Sequence, residues 1–197
     1  SRGLGDVYKR QILKRSEKIV DNLGITDPAV KQNVLYILAN RYFKLNDIYE
    51  VRDQKVKYAK AVLTGASKQA AIEAAELEKD ATLYRCHFEF PASLSLYIND
   101  KQIDAIKDGM TYNSLQVQYE SLVDMVPSLT EEEKKQIYAW YKEAREFSMD
   151  AENSDKKHAA FNKYKGRINN YLTKRGYDLV KERNEWYKRL KAAGKKI

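Results

Sequence analysis

The chain is nearly devoid of cysteine: Cys86 stands alone among 197 residues, so no intramolecular disulfide can form. Proline and glycine are also sparse, at 3 and 8 residues. That is too few turn formers for the many tight connections of an all-β fold. No apolar run approaches the roughly twenty residues needed to cross a bilayer, so no membrane span is expected. Histidine is limited to His87 and His158. Cys86 and His87 are sequence neighbours and point about 100° apart on a helix, so they cannot grip one ion together. With no paired-Cys or His-x-x-x-His spacing, no metal site is expected, and no cofactor is expected either.

What the chain has instead is charge and tyrosine. Charged residues make up 32% and hydrophobic ones 43%, the balance of a globular protein rather than a disordered one. Lys and Arg are interleaved with Asp and Glu along the helical segments, which is the pattern of solvated faces. A nucleic-acid surface would show a stripe of one sign, so no nucleic-acid partner is expected. The 15 tyrosines are many for this length. Each offers an apolar ring with a polar tip, suited to half-buried helix seams and to sugar-stacking surfaces.

Residues Ser1 to Gln11 read differently from the rest. Back-translated, SRGLGDVYKRQ gives, in frame, the sequence of a transposase sequencing adapter. The segment is therefore expected to be an artefact of a gene assembled from fragmented environmental DNA, forming a mobile, unpacked arm. The native chain is expected to begin near Ile12 in a truncated first helix, with any leader or anchor upstream of it. Setting aside Arg2, Lys9 and Arg10 against Asp6 lowers the net charge from +8 to +6.

Residues 12–194 are expected to form a single all-α domain, a bundle of about seven helices. Asp27-Pro28 is an N-cap followed by proline at the first helical position. The helix it opens carries apolar residues at helical spacing to about Leu63. Ser67 can cap the next helix, which Pro91 kinks or breaks. Asn99 with Gln102 and Thr130 with Glu133 have capping-box spacing. Gly109 is expected to supply a left-handed helix stop. Met110 to Gln118 reads as the least regular stretch, with a helix resuming near Tyr119. Gly166 is expected to allow a close helix approach.

Two arginines, Arg41 and Arg52, fall on the apolar stripe of the long helix. Either they extend to water at its margin or they enter the core, where a guanidinium needs a carboxylate or an anionic ligand. Asp108 and Asp150 are the candidate partners.

The runs Ile103-Asp-Ala-Ile-Lys-Asp-Gly-Met-Thr-Tyr112 and His158-Ala-Ala-Phe-Asn-Lys-Tyr-Lys-Gly-Arg-Ile-Asn-Asn-Tyr-Leu172, with Glu143-Ala-Arg-Glu146 and Met149-Asp-Ala151 between them, resemble the bacterial family called domain of unknown function 3826. The likeness extends from about Ile19 to Leu190. It implies an exported protein, periplasmic or secreted, of Bacteroidetes type and often in the company of polysaccharide-degrading genes. It assigns no catalytic residue.

Residue chemistry then ranks a candidate binding cleft: His87, Lys107, Asp108, Tyr112, Tyr119, Arg145, Asp150, His158 and Arg167. Three functions compete for it. One is an accessory protein that binds a glycan or another envelope component through an aromatic groove near Tyr112 and Tyr119. Another is a glycan-active enzyme using a His–carboxylate or carboxylate pair drawn from Asp108, Glu143, Glu146, Asp150 and His158. The last is a periplasmic chaperone, suggested by the Leu129-Thr130 to Gln136 signature. The competing reading for the polar cluster is a hydrogen-bonded network that fixes how helices cross.

Overall fold

A computed structural model describes residues 2–197, with side chains in the first helix from residue 5 onward. The described residues form nine helices and no strand: α1 Arg2–Asp21, α2 Pro28–Val62, α3 Gly65–His87, α4 Glu89–Leu94, α5 Asp100–Met110, α6 Ser114–Met125, α7 Glu131–Ser148, α8 Ser154–Lys174 and α9 Leu179–Ala192. The all-α expectation holds. The helix count exceeds the expected seven, in part because the chain breaks at Phe88 and restarts as the short α4 around Pro91. Contacts divide the chain into two compact units, Ser1–Ile106 and Lys107–Ile197, the division falling inside α5.

In the first unit, α2 packs against α1, α3 and α4. Its 35 residues span about 52 Å at 1.5 Å per residue. Asp27 caps it as the sequence suggests, its carboxylate accepting from the Ala29 amide at 2.8 Å. Val34, Leu38, Leu45 and Ala59 supply its buried side. The Asn99–Gln102 capping box forms in both directions, and Gln102 also donates to the Leu23 carbonyl at 3.2 Å.

The N-terminal segment is not the unpacked arm expected of it. It continues α1 without a break, and Tyr8 meets Phe43 edge-on at 5.9 Å. The reason is register: Tyr8, Ile12, Ser16 and Val20 recur every four residues, so the segment extends the buried face that the last three already form.

In the second unit, α7 packs on α6 and α8, with α9 against α6 and α8. Phe161, Ile137, Ile168 and Leu172 form the centre of its core with Leu115, Leu122 and Tyr141. Burial pushes the Tyr141 hydroxyl up to about 12. Gly166 is exposed, and a Cβ there would meet nothing within 4 Å. It makes no close helix approach, because that face of α8 points to solvent.

Candidate functional site

The helix stop after α5 lies three residues later than Gly109. Gly109 remains helical, and the chain reverses through Tyr112 and Asn113, with φ of 58° and 56°. The Asn113 amide donates to the Asp108 carbonyl at 2.9 Å, the long bond of a Schellman motif. Tyr112 thus occupies the position that helices usually give to glycine. A left-handed tyrosine costs roughly 1–2 kcal/mol. The ring recovers part of this by stacking on His158, centroids 5.2 Å apart, and by taking the Lys157 ammonium at 5.6 Å. Aromatic and cation–π contacts of this kind contribute about 0.5–1.5 kcal/mol each. Because the turn is tight, α6 already begins at Ser114, not near Tyr119.

Lys157 is the residue that the sequence reading missed. It is buried and donates to the Met110 carbonyl at 2.9 Å, placing a cation at the C-terminal end of α5, where orphan carbonyls accumulate. Ser148 ties the same backbone by donating to the Lys157 carbonyl at 3.0 Å. The signal was available, since Lys157, Phe161, Tyr164 and Ile168 lie at helical spacing on one buried stripe.

Beside this turn, neighbouring residues of α5 and α7 pair crosswise. Lys107 meets Glu146 at 2.6 Å and Asp108 meets Arg145 at 2.8 Å. Successive residues on a helix diverge by about 100°, so two adjacent pairs grip the crossing from two sides. The Arg145 side chain is only 5% exposed and that of Asp108 21%. The four charges of these two pairs cancel one another. Asp150 is buried nearby in sequence and has polar contacts of its own.

Lys107, Asp108, Tyr112, Arg145 and His158 of the candidate cleft therefore gather around the end of α5, in the ion pairs and ring contacts just described. The other candidates lie elsewhere. His87, on α3, packs against Phe88 at 5.1 Å. Arg167 lies over the Tyr164 ring at 4.6 Å and 3.5 Å from Glu143. His158 stacks on Tyr112 through its ring face.

Tyr119 belongs to a different feature. It meets Tyr138 edge-on at 5.1 Å, and the two line a shallow groove of α6 and α7 with Glu131, Lys134, Lys135, Ala139 and Lys142. Lys142 stands 5.3 Å from the Tyr138 centroid, and Lys134 is 3.2 Å from Glu131. Three lysines against one glutamate give the rim a positive excess.

The two arginines of the long helix also find partners. Arg41 is buried, donates to the Cys86 carbonyl at 2.8 Å near the end of α3 and lies over Phe90. Arg52 lies over Tyr49 and pairs with Asp53 at 2.7 Å and Glu76 at 3.7 Å. Asp108, proposed as an arginine's partner, is taken by Arg145.

The chaperone-like Thr130 to Gln136 stretch is a complete capping box. Thr130 and Glu133 exchange bonds at 3.1 and 3.3 Å. Glu133 also accepts from the Tyr177 hydroxyl at 2.9 Å and lies 3.6 Å from Arg175. Burial works to raise its carboxyl, but Thr130, Tyr177 and Arg175 together hold it below the usual carboxylate range. Capping and this network account for the motif.

A family model described as "Protein of unknown function (DUF3826)" matches residues 9–192, nearly the whole chain. The chain belongs to this family. No curated protein sequence matches it. Among the described residues of this DUF3826 member, no helix is long and apolar enough to cross a membrane, and no group of three or more His, Cys, Asp or Glu could hold a metal ion.

Proposed function

We propose that this DUF3826 protein is an exported accessory protein, periplasmic or secreted, that binds an acidic saccharide during polysaccharide utilisation. The observation that carries the reading is the Tyr119–Tyr138 groove: two rings at an edge-to-face angle of 80°, flanked by Lys134, Lys135 and Lys142. Tyrosine faces suit the apolar faces of sugar rings, and lysines on the rim suit carboxylates. Lys142 now covers the Tyr138 ring. A uronate residue would draw that ammonium onto its carboxylate and take its place on the ring. The enzyme reading has less support, because Glu143, Glu146 and Asp108 are each engaged by a cation.

The test is calorimetric titration with oligogalacturonides and, as a neutral control, cello-oligosaccharides. The acidic series is expected to bind with a dissociation constant of about 0.1–1 mM, weakening with salt. Tyr138→Ala should reduce affinity at least about tenfold, equivalent to 1.4 kcal/mol. Equal binding by Tyr138→Ala, or no heat from the acidic series, overturns the reading.

A further inference from the structure

Helix α3 has two apolar faces, and only one of them is used within the first unit. Ala75, Lys79 and Cys86 lie toward the buried side, with Ala75 inside the core. On the opposite side Ala70, Ala74, Leu77, Ala81, Tyr84 and Phe88 are all exposed. Leu77 is 68% exposed, Tyr84 71% and Phe88 62%. Their spacing of 4, 3, 4, 3 and 4 residues is an a/d heptad seam. Phe88 keeps right-handed helical angles, so it extends the seam, and its ring packs edge-on against Tyr84 at 5.8 Å. A helix that is apolar on both sides is normally covered on both.

We propose that this seam is the interface of a two-fold, antiparallel dimer of the chain. The side-chain sizes along it support self-pairing. Running two copies antiparallel about a point near Lys79 sets Ala70 against the second copy's Phe88, Ala74 against its Tyr84 and Leu77 against its Ala81. Every layer then joins a large side chain to a small one, as close interdigitation requires. Because the layers are the same from either copy, the contact is isologous and closes at two chains.

The flanks agree. Glu73 falls opposite the second copy's His87, and Ala71 opposite its Arg85. Glu78 and Asp80 approach their own counterparts near the axis, but each already pairs with a lysine of its own chain, Lys55 at 2.5 Å and Lys79 at 3.0 Å. Aromatic side chains bury about 150–250 Å² each. With Leu77 and the alanines, the two copies together cover about 1,000 Å², just under the roughly 1,200–2,000 Å² of a standard interface. That area fits a weak dimer with a dissociation constant of about 10–100 µM.

Sedimentation equilibrium on the full chain from about 5 to 500 µM tests the proposal directly. The expected result is a monomer–dimer equilibrium that Leu77→Glu combined with Tyr84→Glu abolishes while far-ultraviolet dichroism stays unchanged. The register is read in a Cys86→Ser background by oxidising single-cysteine proteins. A mixture of Ala74→Cys and Tyr84→Cys should give the mixed disulfide, and Ala74→Cys alone should stay uncrosslinked. A monomer throughout, a dimer that survives the double glutamate variant, or crosslinking of Ala74→Cys to itself overturns the proposal.

Discussion

If the crossed ion pairs are what hold the end of α5 to α7, the losses on removing the two charges of one pair singly must sum to well over the loss on removing both. Asp108→Asn leaves the Arg145 guanidinium, 5% exposed, without its carboxylate. Breaking a buried pair from one side costs about 3–5 kcal/mol. Asp108 keeps 21% exposure and Arg145 has further polar contacts, which lowers the expected loss to about 2–3 kcal/mol. Arg145→Met should cost less, about 1–2 kcal/mol, because the orphaned carboxylate can turn toward water. The double variant leaves no buried charge unmatched and should lose only about 2 kcal/mol in all. The coupling between the two sites is then about 2 kcal/mol. Equilibrium urea unfolding at neutral pH, followed by tryptophan fluorescence, gives each value from the shift in midpoint at constant slope. Strict additivity, or a loss under about 0.5 kcal/mol for Asp108→Asn, would refute the structural role assigned to these residues. In the same series the affinity for oligogalacturonides should stay at the wild-type value, because the groove lies at Tyr119 and Tyr138.

Two further outcomes follow from the second unit. Phe161→Ala, at a fully buried site in the core cluster, should destabilise by about 3–5 kcal/mol in the same urea assay; a loss under 1 kcal/mol would mean the core collapses around the cavity. Glu133 has a folded-state carboxyl held below its ordinary value, so its contribution is complete above the unfolded value and lost as pH falls through the folded one. Glu133→Gln should therefore be less stable than wild type at pH 7 by about 1–2 kcal/mol, with the gap closing in acid below the ordinary carboxylate value. A gap that is constant from neutral to acidic pH would exclude the charge as its source.

Much of the helical framework was legible in the chain because it rests on local physics. The Asp27-Pro28 start, the Asn99–Gln102 and Thr130–Glu133 boxes and the apolar spacing of α2, α7 and α8 involve residues within a turn or two of each other. Gly109 misled for the same reason. Glycine is the usual left-handed stop, yet the stop is placed by what the reversing residue can touch, and at Tyr112 that is His158 and Lys157, more than forty positions on. Lys157 itself hid behind its residue type, although its place on the α8 stripe marked it as buried. The N-terminal segment likewise joins α1 because Tyr8 falls in register with Ile12, Ser16 and Val20.

The sequence by itself therefore determined that the protein is all-α and where α2, α5 and α7 begin, and it left Arg41 and Arg52 either extended to water or buried with a partner. Only the tertiary structure decided which partners they took, that Lys107, Asp108, Arg145 and Glu146 cancel one another, that Tyr119 opens onto Tyr138, and that α3 leaves a heptad seam uncovered. Capping and periodicity act within about one turn of helix, so the chain order encodes them directly. Charge pairing, ring stacking and the covering of a helix face depend on which distant segments arrive at the same place, and folding alone brings them there.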